Sequence, residues 1–433
     1  MLEDPRRCTF DPATLACPPG ADRGDCLTAL QVQAVRDIWS GPKNAAGQVL
    51  YPGLVPGGEA EGWPRWVTGS EPFDSLHWRA AEGFMKHMVF QDPSWDFRSW
   101  DYARDLPTAL AATGPSIDAD DPDLRSLRDA PRRSTSAKLL LYHGWSDPDI
   151  SPLGTIQFYE DVVKLVAGGA PREEGLASTQ EFFRLFMLPG MAHCSGGPGP
   201  STFDPLTALE EWVEEGVAPT RLIASKDLGD GRTRTRPLCV YPEVAHWNGE
   251  GDTDDEASFD CIDPDDPAIV RTPDGIARGE VSRQAKTFYA LPYGLPPTGV
   301  RRWQPPEQNE RWRGVRDSTT PATGCARAGR GGAVLGREDC LYVNVYAPRR
   351  APAAPLPVMV WLHGGCFVGG SPDSGMLSRH DGSSLVNAAG GKVIVVTVAF
   401  RLNVFGHLGG AQVKARARDG SAGNFGIQDQ REA

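Results

Sequence analysis

Two residues that follow predicted strands have the side chains of a proton-transfer pair. Asp147 closes the sequence His143-Gly144-Trp145-Ser146-Asp147 after one apolar run, and His193 follows the apolar run 182–188. A loop Asp after one strand and a loop His after a later strand is the chain order of the Ser-Asp-His hydrolases. The Asp would hold the imidazole in one tautomer, and the His would take a proton from a serine and return it to the leaving group. Taken alone, this pattern also fits two ordinary loop residues that have no catalytic role.

A glycine-rich turn in the last quarter of the sequence has the composition of an oxyanion-binding loop. It is His363-Gly364-Gly365-Cys366-Phe367, which follows the apolar run 358–362. Glycines allow backbone N–H groups to turn toward a developing negative charge, and HGG-type loops do this in lipases and esterases. A plain turn between a strand and a loop is the alternative.

The elements that must position Asp147 and His193 follow an α/β pattern. The runs 138–142 and 182–188 are predicted as strands, and 153–166 as an amphipathic helix. A further helix is predicted after Asp204-Pro205, because Asp204 can cap free amides and Pro suits the first helical position. In the second half of the chain, 358–362 and 393–398 are predicted as buried strands of the parallel type.

Composition excludes several classes of protein. The formal net charge is −12 and no stretch forms a basic patch, so nucleic acid is not an expected partner. The longest plain apolar run is much shorter than the ~20 residues of a membrane helix, and the N-terminal residues do not resemble a signal peptide. Hydrophobic residues make up 40% of the chain, which is enough for a folded core.

The nine cysteines are placed around irregular loops. This predicts disulfides and an oxidising compartment, with free thiols in a cytosolic protein as the alternative. No pair has the CxxC spacing of a zinc site, so no metal is expected. The predicted pairs are Cys17 with Cys26, Cys239 with Cys261, and Cys325 with Cys340.

Residues 1–262 resemble the C-terminal part of the tannase/feruloyl esterase family. The motifs that carry the resemblance are His143-Gly144-Trp145-Ser146-Asp147, Gly190-Met191-Ala192-His193-Cys194 and Cys8-Thr9-Phe10-Asp11-Pro12. The resemblance implies that Asp147 and His193 are the triad acid and base. It also implies a nucleophilic Ser and a calcium loop before residue 1, so calcium binding is not expected here, and Cys8 and Cys194 should lack their partners. Ser195 is interpreted as a decoy, because it lies on the histidine loop itself.

Residues 269–433 resemble the N-terminal part of the type-B carboxylesterase/cholinesterase family. The resemblance rests on Glu338-Asp339-Cys340-Leu341-Tyr342, Arg401-Leu402-Asn403-Val404-Phe405-Gly406 and Gly423-Asn424-Phe425-Gly426. It implies that Gly364, Gly365 and Cys366 form the oxyanion hole, with Cys366 in place of the usual third Gly, and that His363 is structural. The family's GxSxG nucleophile motif does not occur in the sequence.

Together, the resemblances predict two incomplete α/β-hydrolase segments, each with a parallel-type sheet and flanking helices. The predicted boundaries are a lid remnant at 1–130, a hydrolase tail at 131–262, a linker at 263–274 and a carboxylesterase-like segment at 275–433. The expected function is serine-dependent hydrolysis of carboxylic esters when the protein is complete, with this chain as a fragment or a fused gene model. The expected substrates are small-molecule or cell-wall phenolic esters, and the expected location is extracellular.

Two alternatives to this function stay open. The first is a non-catalytic binding protein for phenolic or glycan esters. The second is a permuted hydrolase in which the two segments fold together. Each incomplete segment would also expose the edge of its sheet at which the strand before the nucleophile is missing. Such exposed edges favour aggregation or oligomers.

Overall fold

The computed structural model describes residues 3–21, 23–129, 137–350, 354–372 and 382–433. The chain divides into two compact units, Met1–Ile262 and Asp263–Ala433. The predicted boundary between lid and hydrolase tail at 130/131 lies outside the described residues. The predicted linker 263–274 belongs to the second unit, and part of it forms a strand at Ile269–Thr272. Its Asp and Pro residues flank that strand and form its turn, which explains why the composition resembles a linker.

The first unit is an α/β unit. Its helices are α1 (Ala29–Ser40), α2 (Glu59–Trp66), α3 (Leu76–Phe84), α4 (Tyr102–Ile117), α5 (Arg125–Arg128), α6 (Pro152–Ala167), α7 (Arg172–Gln180) and α8 (Pro205–Glu214). Its strands are β1 (Leu139–Gly144), β2 (Phe183–Leu188), β3 (Arg221–Asp227), β4 (Thr233–Cys239), β5 (Val244–Trp247) and β6 (Phe259–Ile262). The strands β1 and β2 pair in parallel, whereas β3 with β4 and β5 with β6 pair antiparallel.

The main core of the first unit lies where α6 packs beside β2. Tyr159, Val162, Phe183 and Leu185 are all fully buried there. The predictions of β1, β2, α6 and α8 are confirmed to within two or three residues. Asp204 caps α8 as predicted, since its carboxylate accepts the backbone N–H groups of Leu206 and Thr207, both at 3.1 Å.

The second unit is built around a mixed five-stranded sheet. Its strands are β7 (Ile269–Thr272), β8 (Gly275–Arg278), β9 (Glu280–Val281), β10 (Lys286–Pro292), β11 (Val315–Asp317), β12 (Arg327–Ala328), β13 (Val334–Leu335), β14 (Tyr342–Ala347), β15 (Val358–Leu362) and β16 (Ile394–Val398). Its helices are α9 (Gly382–Ala388), α10 (Asn403–His407), α11 (Ala411–Arg416) and α12 (Phe425–Glu432). The strand order is β15-β16-β14-β10-β9, in which only the β15–β16 pair is parallel.

The prediction that 358–362 is a buried strand is wrong. The segment does form β15, but it lies at the edge of the sheet and all five residues are exposed, from Trp361 at 38% to Val360 at 59%. An apolar strand is buried only where other elements cover both faces of its sheet. The sequence of the strand itself does not show whether such elements are present. Within the described part of the second unit, no element buries β15.

Three disulfides are present, as predicted: Cys17–Cys26, Cys239–Cys261 and Cys325–Cys340. Cys8, Cys194 and Cys366 are free thiols. Among the described residues, no helix is both long and apolar enough to cross a bilayer.

Candidate active site

The strands β1 and β2 bring Asp147 and His193 together. The two strands run in parallel with Gly144 opposite Leu188, so the loops that follow them leave the same edge of the sheet. In these loops His193 Nδ1 lies 3.0 Å from Asp147 Oδ2. The Asp147 side chain is 5% exposed and that of His193 is 26% exposed. A buried carboxylate that accepts the Nδ1–H of a partly exposed imidazole is the arrangement that orients a catalytic base.

The carboxylate of Asp147 is held from several sides. Its Oδ1 accepts the backbone N–H groups of Asp149 at 2.8 Å and Ile150 at 3.0 Å, and its Oδ2 also faces His143 Nε2 at 3.2 Å. Burial by itself raises the pKa of Asp147, but the hydrogen bonds outweigh it and lower the pKa to about 2. The group is therefore ionised throughout the neutral range, as a triad acid must be.

The low pKa of Asp147 predicts a contribution to acid stability. The pKa falls from 3.8 to about 2 on folding, so the stabilisation is complete above about pH 4 and disappears as the pH falls toward 2. We expect the free energy of unfolding of wild type to exceed that of Asp147→Asn at pH 6. The difference between the two proteins should decrease by on the order of 2 kcal/mol when the pH is lowered to 2. Urea unfolding of both proteins at several pH values measures this difference, and a difference independent of pH would contradict the assignment.

Asp149 and Trp66 contact the His193 ring, and His77 contacts Asp149 behind it. His193 Nε2 lies 3.5 Å from Asp149 Oδ2, and the other oxygen of Asp149 lies 2.7 Å from His77 Nε2. The Trp66 ring packs edge-on against the His193 ring at 4.9 Å. Trp66 and His77 lie more than 100 residues before His193, so only the tertiary fold reveals them, although Asp149 stands two residues after Asp147 in the motif.

A cavity of about 500 Å³ opens beside this group. Its walls combine apolar side chains with a few polar ones, including Ile38, Lys43, Tyr51, Leu54, His77 and Asp149. Small-molecule sites commonly have this size and this mixture of lining residues. Because Asp149 lines the cavity and also faces His193 Nε2, the cavity adjoins the Asp147–His193 pair.

No serine among the described residues completes the pair. Ser195 is exposed, and its contact with His193 is from its own backbone N–H to the His193 carbonyl at 2.8 Å. The described residues provide no hydroxyl bonded to the His193 ring. The interpretation of Ser195 as a decoy agrees with this geometry.

The predicted oxyanion loop lies in the second unit, directly after β15. Gly365, Cys366 and Phe367 all have positive φ, at 133°, 52° and 60°. Among the described residues, the N–H groups of Gly365 and Cys366 have no acceptor. His363 stacks on Phe400 at 4.3 Å and its Nδ1 donates to the Gly364 carbonyl at 3.1 Å. Burial lowers the pKa of His363, which agrees with a structural imidazole.

Two neighbouring glycines of this loop are expected to differ in how strongly a change to Ala affects stability. In Gly365→Ala the new Cβ would lie 2.1 Å from the Gly369 carbonyl oxygen, at a φ that L-residues rarely adopt. In Gly364→Ala the Cβ would meet no atom of the described residues within 4 Å. We expect Gly365→Ala to destabilise the second unit by about 1–3 kcal/mol and Gly364→Ala to be close to neutral. Urea unfolding measures both variants, and equal effects would show that the loop is not shaped as described.

The tannase resemblance places the edge of a calcium loop at Asp4. The Asp4 carboxylate at its expected edge is bound by the Arg6 guanidinium, with Arg6 Nη2 2.7 Å from Oδ2. Among the described residues, no cluster of three or more His, Cys, Asp or Glu side chains could hold a metal ion.

Comparison with known proteins gives two family matches. Residues 1–262 match the model "Tannase and feruloyl esterase", and residues 266–433 match the model "Carboxylesterase family". The tannase match therefore occupies the N-terminal part of this chain, not its C-terminal part. Its correspondence to the C-terminal part of a complete tannase stays a prediction.

Individual relatives agree with the first match. An uncharacterized esterase of Xanthomonas campestris is 39% identical over 298 residues, which are 61% of this chain and 51% of the relative. The mono(2-hydroxyethyl) terephthalate hydrolase of Piscinibacter sakaiensis is 34% identical over 306 residues, or 61% of this chain and 48% of the relative. The crystal structure of feruloyl esterase B from Aspergillus oryzae superposes with a TM-score of 0.51 at 29% identity and covers 60% of this chain and 51% of that one.

The chain thus spans about half the length of the curated relatives that it matches. The parallel β1–β2 pair, the Asp147–His193 hydrogen bond and the two flanking disulfides all lie within residues 1–262, the range of the tannase match. This match covers more than half of the sequence, and the chain belongs to the tannase and feruloyl esterase family.

Proposed function

We propose that this chain supplies the acid and the base of a carboxylic ester hydrolase. The observation that carries the proposal is the 3.0 Å hydrogen bond between His193 Nδ1 and the buried, ionised Asp147. It leaves His193 Nε2 as the nitrogen that exchanges protons with a reacting group. Esterases among the relatives support the same chemistry.

In the proposed mechanism His193 acts first as a base and then as an acid. Nε2 takes the proton of a serine hydroxyl as the serine oxygen attacks the ester carbonyl carbon, and the carbonyl π electrons move onto its oxygen. When the tetrahedral intermediate collapses, the bond to the alkoxy group breaks and Nε2 returns its proton to the departing alcohol. A water then repeats the sequence on the acyl-enzyme and releases the acid. Asp147 stays ionised and stabilises the transient imidazolium throughout.

We infer that the serine lies outside the printed sequence and that each unit is an incomplete hydrolase fold. The lack of a GxSxG motif and the absence of a hydroxyl on the His193 ring among the described residues support this inference. The DNA that flanks the gene offers a direct check. A Cys-Ser motif upstream, or a GxSxG motif downstream, in frame would support it.

The proposed substrates are small-molecule or cell-wall esters with a phenolic part. The cavity beside Asp149 is large enough for one aromatic ring and its substituents, and its apolar lining suits such a group. We also propose an extracellular location, because the chain has three disulfides. Self-association through the exposed edge of β15 stays a prediction.

The test of the function is hydrolysis of methyl ferulate and methyl gallate by the protein expressed from its gene with the natural flanking sequence. The proposal predicts saturable hydrolysis that is lost in His193→Ala. Hydrolysis that survives His193→Ala would contradict it. Saturable binding of either ester without turnover would instead support the alternative of a binding protein.

A further inference from the structure

A second imidazole contacts the carboxylate that orients His193. His143 lies in β1, and its Nε2 is 3.2 Å from Asp147 Oδ2. The same oxygen receives the Nδ1–H of His193 at 3.0 Å. The His143 side chain is only 12% exposed, so its hydrogen-bonding groups must be satisfied within the protein.

The surroundings of His143 determine where its proton lies. Nε2 faces two groups that carry no proton, the ionised Asp147 carboxylate and the Ile150 carbonyl oxygen at 3.2 Å. Nε2 must therefore be the protonated nitrogen. In the neutral imidazole Nδ1 then has a lone pair, and the Thr155 hydroxyl at 2.6 Å must donate to it. The donor on one side and the acceptors on the other select a single tautomer.

The three residues also connect the two elements that flank the acid loop. His143 belongs to β1, Thr155 lies in the first turns of α6, and Asp147 stands on the loop between them. A second contact ties down the end of that loop, since the Ser151 hydroxyl donates to the Gly53 carbonyl at 2.6 Å. Thr155 is β-branched, so few χ1 rotamers are open to it in α6, and its hydroxyl hydrogen can rotate to point at His143 Nδ1.

We propose that Thr155 and His143 are positioning residues that fix the carboxylate of Asp147 for His193. The hydroxyl of Thr155 donates to His143 Nδ1, and His143 Nε2–H donates to Asp147 Oδ2. The backbone N–H groups of Asp149 and Ile150 hold Oδ1 at the same time. Both oxygens are thereby restrained, and Oδ2 stays aimed at His193 Nδ1. The proposal rests on the proposed function only in naming Asp147 as the catalytic acid.

The imidazole nitrogens of His143 provide a test that does not depend on activity. In the 433-residue chain labelled with ¹⁵N-histidine, NMR should show Nε2 of His143 protonated and Nδ1 unprotonated. Thr155→Val keeps the side-chain shape but removes the donor to Nδ1. Nε2 should stay protonated, since its two acceptors remain, and the ¹⁵N signal of Nδ1 should shift to that of a nitrogen without a hydrogen bond. Thr155→Ser keeps the hydroxyl and should restore the wild-type Nδ1 signal, which also separates this effect from a folding defect. A His143 protonated on Nδ1, or an unchanged Nδ1 signal in Thr155→Val, would overturn the proposal.

Hydrolysis by the protein expressed with its natural flanking sequence gives the second readout. We expect Thr155→Val to lower kcat about tenfold with little change in KM, the effect of one lost hydrogen bond on the transition state, and Thr155→Ser to recover most of it. An unchanged kcat in Thr155→Val would also overturn the positioning role. If wild type itself hydrolyses no ester, the proposed function fails, while the tautomer measurement still decides whether the hydrogen-bonded chain exists.

Discussion

Replacing Asp147 with Asn is expected to lower the kcat of ester hydrolysis about 10⁴-fold. In wild type the Asp147 carboxylate can only accept, so the proton of His193 sits on Nδ1. At 3.5 Å from Asp149 Oδ2 the Nε2 atom makes no hydrogen bond there, and its lone pair can act as a base. The amide of Asn can donate through its NH₂ group. If it donates to Nδ1, the proton of His193 moves to Nε2, where the imidazole can no longer take a proton from serine.

The matched control for this variant is Asp161→Asn. Asp161 is an exposed residue of α6 in the same unit, so it undergoes the same chemical change away from His193. We expect its kcat to equal that of wild type. The measurement is the full dependence of rate on methyl ferulate concentration, made on the protein expressed with its natural flanking sequence. If Asp147→Asn raised KM but left kcat at the wild-type value, the orienting role of Asp147 would be contradicted.

Replacing Asp429 with Asn is expected to destabilise the second unit by about 3–5 kcal/mol. Asp429 is fully buried and Arg401 is 3% exposed. Arg401 Nη2 and Nε donate to the two carboxylate oxygens at 2.6 and 2.8 Å, and the Arg401 backbone N–H donates at 3.0 Å. Since an Arg side chain cannot shed its proton in a protein, the variant would leave its charge buried without a counter-charge.

Two further variants isolate the cause of this effect. Arg418→Gln breaks the exposed pair with Glu307 and should cost no more than about 1 kcal/mol. Arg401→Met combined with Asp429→Asn removes both charges and should recover part of the loss. Hydrogen-exchange mass spectrometry of peptides from β14 and β16 in urea reports the stability of this unit. Equal losses in Asp429→Asn and Arg418→Gln would show that burial of the pair is not decisive.

Local patterns placed Asp147 and His193 after two strands, and the family resemblance distinguished the pair from ordinary loop residues. Each residue follows a short apolar strand, and the parallel pairing of those strands then places both loops at one edge. The three disulfides were predictable for a similar reason, since each pair brackets its own short loop.

Other features depend on contacts that no local pattern encodes. The contacts of Trp66 with His193, of His77 with Asp149 and of Thr155 with His143 are set by packing between separate elements. The exposure of β15 likewise depends on contacts with other elements. Its apolar residues predict a strand correctly, but its burial depends on neighbours that its own sequence does not contain.

A fluorophosphonate probe reports directly whether His193 serves a serine nucleophile outside the printed sequence, as we propose. The probe is applied to the protein expressed from its gene with the natural flanking sequence, and the labelled peptide is then identified by mass spectrometry. We expect one labelled serine that lies outside residues 1–433, with labelling lost in His193→Ala. A labelled serine within residues 1–433, or labelling that persists in His193→Ala, would contradict it.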